Sequence, residues 1–267
     1  MTQQRHPIMD ALAARPAWTP ATLTRVMQRI SPAVRAVSAK IDPIEGVWHE
    51  LAGDALRRAA GPDQPPLWIV LGDSTAQGVG ASTIDHGWVA RLDAALTDDG
   101  RPHALINLSR SGAHSHHVLA EQLPLLDLLP YPPSIVTVCC GANDLMRNPN
   151  PSALARRLRA LAAELPAGTI MSTLPAPRYS PTALYVHRSL REAAGANDVI
   201  VADLGPHLVS PWKGTSADRY HPNDRGYGAW VRAFAEPMGI DADSVPRRGT
   251  LTSRRPAPSE HGTTGSG

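Results

Sequence analysis

No stretch of this chain reaches the 18 or so consecutive apolar residues that a membrane span requires. Its first residues, Met1-Thr2-Gln3-Gln4-Arg5-His6-Pro7, lack the apolar core and small-residue cleavage site of a secretory signal. Cysteine is almost missing. The two present, Cys139 and Cys140, are adjacent on a predicted strand, where successive side chains point to opposite faces. They read as buried small hydrophobes rather than as a disulfide or metal pair. Together these absences lead us to expect a cytoplasmic protein. Lysine occurs only at positions 40 and 213, and arginine supplies the remaining positive charge throughout the chain. A net charge of +2 is too small to argue for a nucleic-acid partner.

What is present suits one α/β domain with appendages: 267 residues, 42% of them apolar and 19% charged. Residues 1–64 read as a helical N-terminal extension, 65–240 as the main domain and 241–267 as a disordered tail. In the extension, Leu23, Val26, Met27, Ile30, Val34 and Val37 follow helical spacing, and Ser31-Pro32 divides the run with Ser31 as an N-cap. A further helix is expected from about Pro43 to Ala60. Arg25, Arg29, Arg35 and Lys40 make the earlier part basic and amphipathic, which leaves three roles open: packing on the main domain, a lid, or contact with an anionic membrane. Past the breaker-rich linker Gly61-Pro62-Asp63-Gln64-Pro65-Pro66, strand patterns near 67–72, 103–108, 134–139, 168–173 and 198–203 alternate with helical ones near 87–98, 115–123, 152–165, 182–195 and 225–236. Such alternation implies a mostly parallel five-stranded sheet covered on both faces.

The first strand, Leu67-Trp68-Ile69-Val70-Leu71, runs into Gly72-Asp73-Ser74 and presents a hydroxyl where open α/β sheets bind ligands. A serine needs a base to become a nucleophile. His221 is the candidate, with Asp218 three residues before it and able to hold its imidazole. Attack on a carbonyl also needs donors where negative charge develops. Gly112, after the second strand, can bring its backbone N–H close to a substrate, and Asn143, after the third, can offer its side-chain NH₂. All three turns follow parallel strands and so converge on one sheet edge.

Taken together, these residues resemble the SGNH (GDSL-type) hydrolases. Gly72-Asp73-Ser74 matches the nucleophile block, Gly112 the glycine block, Gly141-Ala142-Asn143-Asp144 the G-x-N-D block and Asp218-x-x-His221 the terminal block, in family order over residues 67 to 238. The resemblance implies a three-layer α/β/α, flavodoxin-like domain with strand order 2-1-3-4-5. It implies hydrolysis of carboxylic esters (esterase, lipase or acylhydrolase) through an acyl-enzyme on Ser74, with His221 as base and Asp218 as its partner. The oxyanion hole would comprise the N–H groups of Ser74 and Gly112 with Asn143. No cofactor or metal is implied; the partner is a small-molecule ester or lipid. Thioesters and acetylated carbohydrates remain alternative substrates, and a non-catalytic acyl- or glycan-binding relative is the reading from a different class. Thr75 departs from the family pattern, which has Leu there, at a position we read as structural.

Rival readings fail on glycine placement. The G-x-S-x-G elbow needs a glycine where Ala76 stands, a Walker loop needs Lys after Gly78 where Val79 stands, and a dinucleotide fingerprint needs glycine at Thr83. His114, His116 and His117 have no ligand-spaced acid or cysteine set beside them. Asp73 and Asp144 read as organisers of their own loops. Leu145, Met146 and Trp212 are candidates for an acyl pocket, though core packing explains apolar residues equally well.

Overall fold

The computed structural model describes residues 5–147, 150–175, 181–208 and 214–254. Five strands, β1 (Leu67–Gly72), β2 (Ala104–Asn107), β3 (Ile135–Cys139), β4 (Ile170–Ser172) and β5 (Ile200–Ala202), form one sheet of order β2-β1-β3-β4-β5. All four pairings are parallel. This is the strand order expected above. Parallel neighbours need crossovers, and the helices that supply them cover both faces of the sheet.

Alternation along β1 sorts the core into two layers. Leu67, Ile69 and Leu71 enter one cluster with Ile106, Val136, Val138 and Met171, while Trp68 and Val70 enter another with Leu105, Cys139, Ile170 and Ala202. The first layer is closed by α1 (Pro7–Ala13), α8 (Pro151–Glu164) and α9 (Pro181–Ala196). The second is closed by α5 (Trp88–Asp98) and α10 (Tyr227–Ala235). Between them in the chain lie α6 (Ser115–His117) and α7 (Ala142–Arg147). Helix α8 shows why these segments are helical. Asn150 caps its first turn by accepting from the Ala153 N–H at 3.1 Å, Pro151 starts it, and Leu154, Leu158 and Leu161 repeat on its buried side. As the strand alternation requires, Cys139 and Cys140 fall in opposite layers as buried free thiols.

The N-terminal region contributes to both layers. It contains α2 (Thr22–Ile30), α3 (Pro32–Ser38) and α4 (Ile41–Ala59) besides α1. Ile8 and Leu12 of α1 join the first layer with Ala52, Ala55, Leu56 and Ala59 of α4, whereas Ile41, Ile44 and Trp48 of the same helix join the second. Ser31 accepts from the Val34 N–H at 3.4 Å and caps α3. No helix among the described residues is long and apolar enough to cross a membrane.

Two segments differ from the sequence reading. The expected helix over 115–123 is a short α-helical start followed by a π turn at Val118–Gln122 and a 3₁₀ turn at Leu123–Leu128. Pro124 explains the break, since it can donate no hydrogen bond to the preceding turn. Residues 241–254, which the sequence reading places in the tail, lie on the second layer, where Val245 and Leu251 are buried. Asp85 holds them there. Its carbonyl accepts from the Gly249 N–H at 2.7 Å, and its carboxylate accepts from the Thr252 N–H at 3.0 Å and from the Thr252 hydroxyl.

Candidate active site

The site begins where β1 ends against β3. Gly72 has φ +142°, and a Cβ placed on it would lie 2.0 Å from the Cys139 carbonyl oxygen, so only glycine fits. The next N–H, that of Asp73, donates to the same carbonyl at 3.1 Å. From the other side, the Gln122 side chain accepts from the Gly72 N–H at 2.7 Å and donates to the Gly72 carbonyl at 2.9 Å. The chain turns sharply here and delivers Ser74, 4% exposed, into the turn beyond the strand end.

Ser74 Oγ lies 3.1 Å from His221 Nε2, and His221 Nδ1 lies 2.8 Å from Asp218 Oδ2. The terminal loop is built for this. Arg219 takes a left-handed φ of +72°, and Asp218 Oδ1 accepts from the N–H groups of Tyr220 at 3.0 Å and His221 at 2.7 Å. Burial pushes the Asp218 pKa up, but the bonds from the His221 ring and from these two N–H groups outweigh it and hold the carboxyl below its ordinary value. Gly80, at φ +97°, makes room for the histidine: a Cβ there would stand 2.7 Å from His221 Cβ and 2.4 Å from the Pro222 carbonyl.

Asn143 lies at the start of α7, and its Nδ2 donates to the Ala113 carbonyl at 2.9 Å. A carbonyl only accepts, so the amide is oriented with Oδ1 toward the Tyr220 hydroxyl, which donates to it at 3.1 Å. The second N–H of that amide has no acceptor among the described residues. The same holds for the backbone N–H groups of Ser74 and Gly112. Gly112 has φ +78° in a loop held from below by Gln77, which donates to the Ser109 carbonyl at 3.1 Å and accepts from the Ser111 hydroxyl at 2.6 Å. A hydroxyl, an imidazole and a carboxylate in this order can move a proton off Ser74, with unengaged N–H donors on the neighbouring turns.

The two motif aspartates serve their loops. Asp144 Oδ2 accepts from the Ser115 N–H at 2.8 Å and Oδ1 from the Ser115 hydroxyl at 2.9 Å, with Arg157 at 3.3 Å and His114 at 3.6 Å. Burial raises its pKa, but His114 and the Ser115 N–H and hydroxyl more than reverse that and hold it at about 2. Asp73 Oδ1 accepts from both the N–H (2.9 Å) and the hydroxyl (2.7 Å) of Thr75, which gives the departing Thr75 a structural task. Among the histidines, His117 Nδ1 accepts from the His114 N–H at 3.0 Å and so caps its own turn. No group of three or more metal-binding side chains occurs among the described residues. Of the pocket candidates, Leu145 packs against the first layer, Met146 is 59% exposed and Trp212 lies outside the described residues.

The sequence model of the GDSL-like lipase/acylhydrolase family matches residues 70–229. The chain belongs to that family. Esterase TesA of Pseudomonas aeruginosa is 37% identical over 94 residues, which cover 35% of this family member and 45% of that esterase. The match therefore spans less than half the length of that relative. The crystal structure of TesA aligns with a TM-score of 0.55 at 25% identity, over 64% of this chain and 97% of that one. The psychrotrophic esterase EstA from Pseudoalteromonas sp. shares the fold with a TM-score of 0.51 at 23% identity, over 65% and 96% of the two chains.

Tyr220, Gln122 and Gln77 are absent from the sequence reading, because a lone Tyr or Gln carries no spacing signal. Asp73 yields a test of the site's electrostatics. Burial pushes its pKa up to about 6, against the smaller pull of the Thr75 bonds. The folded protein therefore keeps a proton that the unfolded chain releases, and stability falls as pH rises from about 4 to about 6. Asp73→Asn keeps an acceptor for Thr75 and removes the titration. Urea denaturation should show wild type losing about 2 kcal/mol relative to Asp73→Asn between about pH 4 and pH 7. Parallel stability–pH curves would contradict the raised pKa of this buried carboxyl.

Proposed function

We propose that this protein hydrolyses carboxylic esters through an acyl-enzyme on Ser74. The observation that carries the reading is the relay from Ser74 Oγ to His221 Nε2 (3.1 Å) and from His221 Nδ1 to Asp218 (2.8 Å). Family membership and the unengaged N–H groups around Ser74 support it. In the forward half, His221 Nε2 takes the Ser74 proton while Oγ bonds to the acyl carbon. Charge then develops on the carbonyl oxygen, where the N–H groups of Ser74 and Gly112 and the free N–H of Asn143 receive it. Asp218 stabilises the imidazolium and fixes its tautomer. Collapse breaks the bond to the alcohol, which leaves with the proton from His221. Water, deprotonated by His221, attacks the acyl-serine by the same route and releases the acid and free Ser74.

Tyr220 is a positioning residue in this scheme. Its hydroxyl orients the Asn143 amide, and its ring stands edge-on to His221 with centroids 4.8 Å apart.

Ser74→Ala and His221→Ala should each abolish most turnover of a short-chain nitrophenyl ester, and the double variant should be little worse, because the three residues act as a unit. Losses that multiply would contradict that unit, and turnover by Ser74→Ala equal to wild type would remove the enzyme reading. Asn143→Ala should lower kcat by on the order of 10²–10³ with a smaller change in KM. Tyr220→Phe should lower kcat by about five- to tenfold, the worth of one hydrogen bond. That loss should vanish in the Asn143→Ala background. A persistent loss there would assign Tyr220 a role independent of Asn143.

A further inference from the structure

Helix α2 presents to solvent the face that an amphipathic helix normally buries. At 3.6 residues per turn, Val26, Met27 and Ile30 fall within an arc of about 100°, with Arg25 and Arg29 on the adjoining side. Yet Val26 is 48% and Ile30 70% exposed. The principal neighbour of α2 is α3, and together they border an open groove of about 640 Å³ lined by Arg25, Gln28, Arg29, Arg35, Ser38 and Ala39. No Asp or Glu occurs between Ala11 and Ile41, a run that holds Arg15, Arg25, Arg29, Arg35 and Lys40. Arg25 bonds only the Thr22 hydroxyl at 3.2 Å and Arg35 only the Gln28 carbonyl at 3.1 Å, so neither has an acidic partner among the described residues.

Both ends of this helical pair are tied to loops of the candidate site. Before α2, Arg15 donates to the Leu108 carbonyl at 3.0 Å, and Trp18 Nε1 stands 3.4 Å from where a Cβ on Gly112 would lie. After α3, Lys40 Nζ donates to the carbonyls of Ala81 at 3.3 Å and Ser82 at 3.1 Å, just past the Gly80 that abuts His221.

We propose that the α2–α3 pair is a docking surface for an anionic lipid bilayer. Val26 and Ile30, with the half-buried Met27 beside them, enter the headgroup–acyl boundary, and Arg25, Arg29 and Arg35 contact the lipid phosphates. A second copy of the chain is the weaker occupant. Three apolar side chains fall far short of the roughly 1,200 Å² that a specific protein interface buries, and a symmetric pairing would bring unpaired arginines together. Docking here would set the Ser74 loops beside the membrane, so that the acyl substrate is drawn from lipid. That consequence rests on the ester-hydrolase reading; the binding itself does not.

The test is co-sedimentation of the full chain with vesicles of phosphatidylcholine, alone or mixed equally with phosphatidylglycerol. Hydrolysis of a soluble short-chain ester is measured in parallel. Wild type should sediment with the anionic vesicles only, and less as salt rises. Arg25→Glu with Arg29→Glu should weaken binding by at least about fivefold per arginine, and Val26→Asp with Ile30→Asp should abolish it even at low salt. Both double variants alter exposed positions and should keep wild-type turnover of the soluble ester. Failure of wild type to bind anionic vesicles, binding that survives either double variant, or a dimer disrupted by Ile30→Asp in a chain that ignores vesicles would each overturn the proposal. If turnover of the soluble ester continues in those cases, only the docking surface falls. Absent turnover with intact vesicle binding would instead count against the hydrolase reading.

Discussion

The backbone contact between Gly72 and Cys139 is the constraint on which the site rests. The end of β1 approaches β3 so closely that a single added carbon at Gly72 would stand 2.0 Å from a carbonyl oxygen. That approach lets the chain leave the sheet within one residue, and Ser74 is where it arrives. Gln122 secures the bend with two hydrogen bonds to the Gly72 backbone, as a neighbouring strand would. The π turn that carries Gln122 has its use here, since an irregular helical turn redirects a side chain that regular geometry would place elsewhere.

From Ser74 outward the motif loops close into a ring of contacts. Ser74 meets His221; Tyr220, one residue earlier, meets Asn143; Asn143 meets the Ala113 carbonyl beside Gly112; and Gln77, on the Ser74 turn, reaches back to Ser109 and Ser111. Each loop thus holds the next. The three aspartates of the motif blocks illustrate how environment assigns roles. Asp144 has an arginine, a histidine and a serine around it and stays ionised down to about pH 2, whereas Asp73 faces mainly Thr75 and titrates near 6. Asp218 is held below its ordinary value against burial by the His221 ring, whose Nδ1 stands 2.8 Å from it and whose Nε2 faces Ser74 Oγ.

Much of this was legible in the residues. Runs rich in Val, Ile and Leu mark β1, β2, β3 and β5, because strands in a sheet covered on both faces are largely apolar, whereas β4 offers only Ile170 and Met171 between threonines and a serine. Gly72-Asp73-Ser74, Gly112, Asn143 and Asp218-x-x-His221 each follow a strand end or share one turn, so short local patterns suffice to find them. Tyr220, Gln122 and Arg15 were not legible, since their partners lie tens of residues away. Likewise, residues 241–254 resemble a tail in composition, and only the distant Asp85 shows that Val245 and Leu251 are core. The exposed apolar arc of α2 inverts the usual case: periodicity found the helix, but only the fold shows which way it faces.

Covalent labelling tests the central claim, that Ser74 is activated by His221, most directly. A nitrophenyl alkylphosphonate ester mimics the tetrahedral species and releases nitrophenolate when a serine attacks its phosphorus. Mass spectrometry of the treated wild-type protein should find one phosphonyl group, on the peptide that contains Ser74. The label should be absent from Ser74→Ala and slowed by orders of magnitude in His221→Ala. Labelling at another residue, or an unlabelled Ser74 in folded wild-type protein, would contradict the account.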